Sequence, residues 1–250
     1  MTSKIQPLLP PGTTSRRVGV DSPPVPSPRD EKSPFAPLAH LAFVVAAALG
    51  VYSFVSVAKE GETRRRCSAT CLLKPNYAGY ERTAPGFKLK DVKGHEVSLE
   101  SYRGKVVVLN FWTKTCGPCM EEMPELADLA RILKPMGDVA VVTISTDDTA
   151  QEAVDTLKAV LKEEPPFAVL IDPDAKNVTG KYGTTLYPET WVIDKNGVLR
   201  ARFDGARDWS NAAVIQYVDQ VRSGGYCEVQ ARDGKFVGKE ASVCEAINGG

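Results

Sequence analysis

Cys116 and Cys119 are separated by Gly117 and Pro118, and the pair stands between an apolar run, Val106-Val107-Val108-Leu109, and a stretch of helical periodicity. No other feature constrains the chain as much. Such a run reads as a buried strand. A strand that turns into a helix delivers the first sulfur to a helix N-terminus, where unpaired N–H groups and the positive end of the dipole favour an anion. The thiol pKa falls there, and the thiolate is the reactive species in disulfide exchange. The chain must therefore build an α/β layer around this unit, whose chemistry is the passage of electrons between dithiols and disulfides. Cys67, Cys71, Cys116 and Cys119 could instead supply four thiolates to a zinc ion. The Gly-Pro insert, with a strand before and a helix after, favours redox chemistry, and no metal site is expected.

The flanks divide the chain into five segments. Residues 1–37 hold nine of the 18 prolines among Ser, Thr and charged residues, a composition that cannot offset chain entropy by burial and predicts a disordered tail. From Leu38 to Ala58 there is no Asp, Glu, Lys or Arg, and the length suits a helix crossing a bilayer, about 20 residues. Ser56-Val57-Ala58 resembles a signal-peptidase site, but the preceding tail is long and the apolar run exceeds the usual ~7–15 residues of a signal peptide. An uncleaved anchor is the expectation. Residues 59–83 read as a linker containing Cys67 and Cys71, 84–223 as the catalytic domain, and 224–250 as an extension containing Cys227 and Cys244.

Orientation signals conflict. Arg29 and Lys32 precede the apolar segment; Lys59, Arg64, Arg65 and Arg66 follow it, and the positive-inside rule would keep the following domain in the cytoplasm. Six cysteines with short local spacings suit an oxidising compartment. The cysteines carry more weight, which gives a single-pass protein of a bacterial inner membrane with its catalytic domain in the periplasm. With 31 basic and 31 acidic residues and no basic stripe interleaved with aromatics, nucleic acid is not an expected partner.

Within the catalytic segment, Phe87, Leu89, Val97 and Leu99 alternate around Lys93-Gly94 and predict a hairpin. Strands follow at 105–112, 139–145 and 168–171. Helices are expected at 116–134, kinked by Pro124, at 149–163 and at 175–182. A hairpin turns at Lys195-Asn196-Gly197, and a last helix from near Ser210 carries Val214, Tyr217, Val218 and Val221. Alternating strands and helices give an α/β sandwich. In the extension, alternation around Asp233-Gly234 predicts a further hairpin, marginal on its own. A Cys227–Cys244 bridge would close it, leaving Cys67 and Cys71 paired locally or free; the linker reaching the extension is the alternative pairing.

The run Gly104 to Trp112 leading into Cys116-Gly117-Pro118-Cys119, together with Tyr187-Pro188-Glu189-Thr190-Trp191-Val192-Ile193-Asp194, resembles the TlpA-like membrane-anchored thioredoxins, over about residues 84–222. These include the thioredoxins of cytochrome c biogenesis. The resemblance implies a thioredoxin fold, a mixed sheet flanked by helices, with an N-terminal hairpin extension and one preceding transmembrane helix. It implies that Cys116 attacks a substrate disulfide and Cys119 resolves the mixed disulfide. Pro188 becomes a cis-proline facing them, with Tyr187, Thr115 and Trp112 bordering the substrate. Glu122 matches an acidic residue near the buried sulfur, where a carboxylate could take the Cys119 proton. Asn110 replaces the buried aspartate of cytosolic thioredoxins, which shifts that task to Glu122. Thr115 replaces the tryptophan of many relatives.

The expected function is a membrane-anchored thiol–disulfide oxidoreductase, a reductase of periplasmic protein disulfides. It needs no dissociable cofactor and takes electrons from an upstream dithiol protein. Two alternatives are weaker. A thiol peroxidase would use Thr113-x-x-Cys116, but Leu109 stands where that motif has proline. A copper-delivery protein would use Cys67 and Cys71, but of the two histidines only His95 lies in the soluble part.

Overall fold

A computed structural model of the chain describes residues 35–79 and 82–249. Most of the tail expected over 1–37 lies outside the described residues. Helix α1 (Ala36–Leu73) runs 38 residues without interruption, and the chain divides into two compact units after Tyr52. In the first unit α1 is exposed from Pro37 onward, with Leu38, Phe43, Leu49 and Tyr52 all bare. Among the described residues, this is a helix long and apolar enough to cross a membrane, by its length and composition.

The second unit begins inside the same helix. Residues 59–73, expected to be a linker, continue α1. Gly61 is the one helix-weakening residue after Ala58, and the side chains at Thr63, Arg66, Cys67, Thr70 and Cys71 recur at helical spacing on the side that becomes buried.

An eight-stranded sheet forms the centre of this unit. Its strands are β1 (Tyr77–Ala78), β2 (Lys88–Asp91), β3 (Glu96–Ser98), β4 (Val106–Trp112), β5 (Val139–Ser145), β6 (Ala168–Ile171), β7 (Glu189–Ile193) and β8 (Leu199–Asp204), in the order β1-β8-β7-β4-β5-β6-β2-β3. β4, β5 and β6 are parallel; β7 runs antiparallel to β4, and β8 antiparallel to β7. All seven β4 residues are buried, which explains the unbroken apolar run: both faces are covered. One face receives Val106, Val108 and Trp112 with helices α2 (Gly117–Leu133), α3 (Ala150–Leu161) and α5 (Ala212–Arg222). The other receives Val107, Leu109 and Phe111, packed with Phe87, Leu89 and Tyr182.

Helix α4 (Thr179–Tyr182) is shorter than the 175–182 segment expected. The Asp172 carboxylate collects the N–H groups of Asn177, Val178 and Thr179, an alternative to helical pairing for the residues before it. Helix α2 passes through Pro124 as a single element.

The extension forms the hairpin β9 (Val229–Arg232) and β10 (Lys235–Gly238), turning at Asp233-Gly234, then helix α6 (Ala241–Asn248). Gly238 is obligatory at its place: φ is +132° and a Cβ would lie 2.1 Å from Glu228 O. The expected Cys227–Cys244 pairing is corrected. Cys67 bonds Cys227 and Cys71 bonds Cys244, each with Cα atoms 5.0 Å apart. The cause is the helical continuation of α1, which sets Cys67 and Cys71 one turn apart on one face, both turned toward the extension. With Val229, these four cysteines form a small separate core packed by Phe236, Val243 and Ile247.

Candidate active site

Strand β4 ends at Trp112, and the turn Thr113-Lys114-Thr115 carries the chain to α2. Cys116 is the N-cap of α2, Pro118 sits in its first turn, and the Cys119 N–H donates to Cys116 Sγ at 3.1 Å. The two sulfurs are joined as a disulfide. Cys116 is half-buried and Cys119 has no exposed surface. The approachable sulfur is thus the one at the helix start, where a thiolate is stabilised.

Asp147, just past the C-terminal end of β5, fixes the turn before Cys116. Its buried carboxylate accepts from Thr113 Oγ1 at 2.8 Å, Lys114 N at 3.0 Å and Ser145 Oγ at 2.7 Å. Sequence reasoning overlooked it. The available signal was its place at the carboxyl end of the parallel strand beside β4, where open α/β sheets gather their functional groups.

The antiparallel register Phe111↔Glu189 puts the start of β7 beside the end of β4. The segment Leu186-Tyr187-Pro188 therefore leaves the sheet at the same end as the cysteines. The Tyr187–Pro188 bond is cis. Glu189 anchors this segment: its buried carboxylate accepts from Trp191 Nε1 at 2.6 Å and from Thr184 Oγ1, and burial pushes its pKa up. Leu186, 80% exposed, and Tyr187 border a cleft with Arg202, Asp204 and Gly205. Thr115 is exposed beside Cys116. Trp112, expected at the substrate border, is corrected: it is fully buried beneath the cysteines in the α2–α5 core and offers no surface to a substrate.

Glu122 lies one turn beyond Cys119 and is buried. Asn110 Nδ2 donates to its Oε1 at 2.8 Å and also to Thr190 Oγ1 at 2.9 Å. Trp209 Nε1 donates to Oε2 at 2.8 Å, and the Arg207 N–H to the same oxygen at 3.2 Å. Burial disfavours the charged form more than these donors favour it, so the pKa is pushed up to about 7. Asn110 Oδ1 has no partner among the described residues; turned over, the amide would accept a hydrogen bond from the protonated Glu122 carboxyl, so one side chain can serve both charge states. Trp209 and Arg207 come from the loop before α5, and nothing local in the sequence marks them as neighbours of α2.

A half-buried sulfur at a helix start, a buried one a turn later and a cis-proline at the same sheet end define the thioredoxin-fold dithiol–disulfide proteins. The chain's relatives lie in that class. Residues 80–202 match the AhpC/TSA family. The thiol-disulfide oxidoreductase ResA of Geobacillus kaustophilus is 37% identical over 123 residues, 49% of this chain and 68% of that protein. The thioredoxin-like protein YneN of Bacillus subtilis is 32% identical over 47% of this chain and 66% of its own length. Among solved structures, a Chlorobium tepidum protein described as a thiol:disulfide interchange protein DsbE superposes with a TM-score of 0.51 and 28% identity, covering 58% of this chain and 99% of that one. The chain belongs to the ResA-type thiol–disulfide oxidoreductases of the thioredoxin-like AhpC/TSA family.

Proposed function

We propose that the protein is a membrane-anchored reductase whose 84–223 domain works in the periplasm on protein disulfides, of the kind that cytochrome c maturation presents. The observation that carries this reading is a buried carboxylate, Glu122, one helical turn beyond the buried sulfur of Cys119. Cys116 thiolate attacks a substrate disulfide, expelling one substrate thiolate and forming a mixed disulfide. Glu122 takes the Cys119 proton. The Cys119 thiolate then attacks Cys116 Sγ, the second substrate sulfur leaves, and the enzyme ends as the disulfide. An upstream dithiol protein returns two electrons and two protons. Tyr187 and Pro188 hold the extended substrate chain, with Leu186 and Thr115 beside it. The peroxidase alternative is disfavoured because Leu109 is a fully buried β4 residue.

Glu122→Gln tests the chemistry. Turnover of the wild type should rise with pH through about 7, as the carboxylate ionises. The variant should lose that limb and be several-fold slower, whereas Glu121→Gln, exposed on the same turn, should leave it in place. Stability supplies a second readout. The carboxylate's pKa rises from 4.5 to about 7 on folding, so its cost to the fold is absent below the lower value and complete above the upper one. Glu122→Gln should therefore gain stability relative to wild type as pH rises through that window. A pH-independent difference in both readouts would reject Glu122 as the proton acceptor.

Topology is tested separately. An alkaline phosphatase fusion after residue 223 should be active. A Sec-exported green fluorescent protein at the same point should be dark. The reverse pattern would place the domain in the cytoplasm, as Arg64, Arg65 and Arg66 alone would have it.

A further inference from the structure

Arg207 touches two parts of the molecule that the reaction does not otherwise connect. Its backbone N–H donates to Glu122 Oε2 at 3.2 Å. Its guanidinium donates through Nη1 to Leu73 O, the last residue of α1, at 2.8 Å, and lies 4.7 Å over the Phe203 ring. Trp209, the second donor to Glu122 Oε2, packs edge-on against the same ring at 5.8 Å. A helix C-terminus leaves carbonyls without helical partners and carries the negative end of the dipole, so a cation seated there is favoured. This helix end is held in turn by the Cys67–Cys227 and Cys71–Cys244 bridges. The loop that solvates Glu122 is thus anchored to a flank outside the sheet.

We propose that Arg207 is a positioning residue through which the disulfide-stapled end of α1 sets the proton affinity of Glu122. The proposal rests on Glu122 being the proton acceptor for Cys119. The groups facing Glu122 fix the direction of the effect. From α2 comes Glu125, which opposes the charge; from the segment after β8 come Arg207 and Trp209, with Asp204 at the end of β8 facing Arg207. Asn110 and Thr190 from the sheet are neutral. Arg207 is the one cation in this set, and it also supplies an N–H to the carboxylate. Both favour the charged form, so displacing Arg207 raises the pH at which Glu122 ionises.

The test is the pH midpoint of turnover, and of Cys119 alkylation in the reduced protein, for the full chain in detergent. Arg207→Gln should move both midpoints up by about one pH unit. Arg207→Lys, which keeps the charge and a donor for Leu73 O, should return the midpoints most of the way to those of the wild type. In a Glu122→Gln background Arg207→Gln should add nothing. If Glu122→Gln itself leaves the midpoints in place, the assignment of Glu122 fails, and this proposal with it. If Glu122→Gln removes the midpoint but Arg207→Gln does not move it, or moves alkylation equally in the Glu122→Gln background, the proposal is overturned while Glu122 stands. Should Arg207→Gln not fold, Cys71→Ser with Cys244→Ser decides. Freeing the last turn of α1 while keeping the other bridge should shift the midpoints the same way by a smaller amount, and an unchanged midpoint overturns the proposal.

Discussion

Cys116→Ser will lower disulfide-reductase turnover at least roughly a thousandfold, because no other group can replace the nucleophile of a covalent exchange. Cys119→Ser will also stop multiple turnover, but with a different product. Cys116 is half-buried at the N-cap of α2, whereas Cys119 has no exposed surface. The serine variant at 119 should therefore attack a substrate disulfide once and stop as a mixed disulfide. That adduct should be visible on a non-reducing gel and should collapse with excess dithiothreitol. In the reduced wild type, iodoacetamide should modify Cys116 well before Cys119 at neutral pH, because only Cys116 is both approachable and stabilised as a thiolate by the helix start. An adduct formed by Cys116→Ser instead, or alkylation of Cys119 first, would reverse the two roles. The trapped adduct is also the direct route to the substrate, since mass spectrometry of the partner reads the client sequence around the captured cysteine.

Local chemistry made much of this site legible in advance. The run 106–109 reads as a strand because both of its faces are buried. Cys116 and Cys119 read as a redox pair because Gly117-Pro118 and the following helical pattern fix the sulfurs at a helix start. Glu122 was reachable because one turn of helix sets it near Cys119. The residues that complete the site were not legible, for one physical reason. Asp147, Arg207 and Trp209 meet the cysteine region only after β5 and β8 are laid beside their neighbours, and no periodicity encodes a contact across 34 or 87 residues. Trp112 failed in the opposite sense: the strand period assigns it to a buried face, and that should have outweighed its proximity to Cys116 in sequence. The course of α1 beyond Ala58 was open to a better reading. Half-buried Thr63 and Arg66 and buried Cys67, Thr70 and Cys71 follow the helical repeat, but charges at Glu60, Glu62, Arg64 and Arg65 mask it.

The two bridges should be worth about 5 kcal/mol of stability together, and their removal should leave the catalytic sulfurs competent. The Cys67–Cys227 bond joins residues 160 apart in sequence and the Cys71–Cys244 bond residues 173 apart. In the chain-entropy model the first closure constrains the unfolded chain by roughly 5 kcal/mol, and the second, once the first is made, adds only a loop of about twenty residues, roughly 3 kcal/mol. Measured losses usually fall below such sums, which sets the lower figure. Beyond the bridges, the extension is held by few contacts for a segment of its length. Its apolar packing around the sulfurs is Val229, Phe236, Val243 and Ile247, and its ties to the rest of the domain are the Glu240–Arg66 pair, the Ala231 N–H to Pro75 O, the Ala78 N–H to Gln230 Oε1 and Arg200 over the Tyr226 ring. A two-stranded hairpin of this size is marginal without a staple. Replacing all four cysteines by alanine should lower the unfolding midpoint by about 10–20 °C, at 2–4 °C per kcal/mol for a chain of this size. It should also expose residues 225–249 to limited proteolysis before the sheet is cut. The variant should still reduce substrate at alkaline pH, where Glu122 is ionised whatever its surroundings. A folded variant with no activity at any pH would show that these sulfurs relay electrons to Cys116 and Cys119. An unchanged midpoint would show that the extension is held by its packing alone.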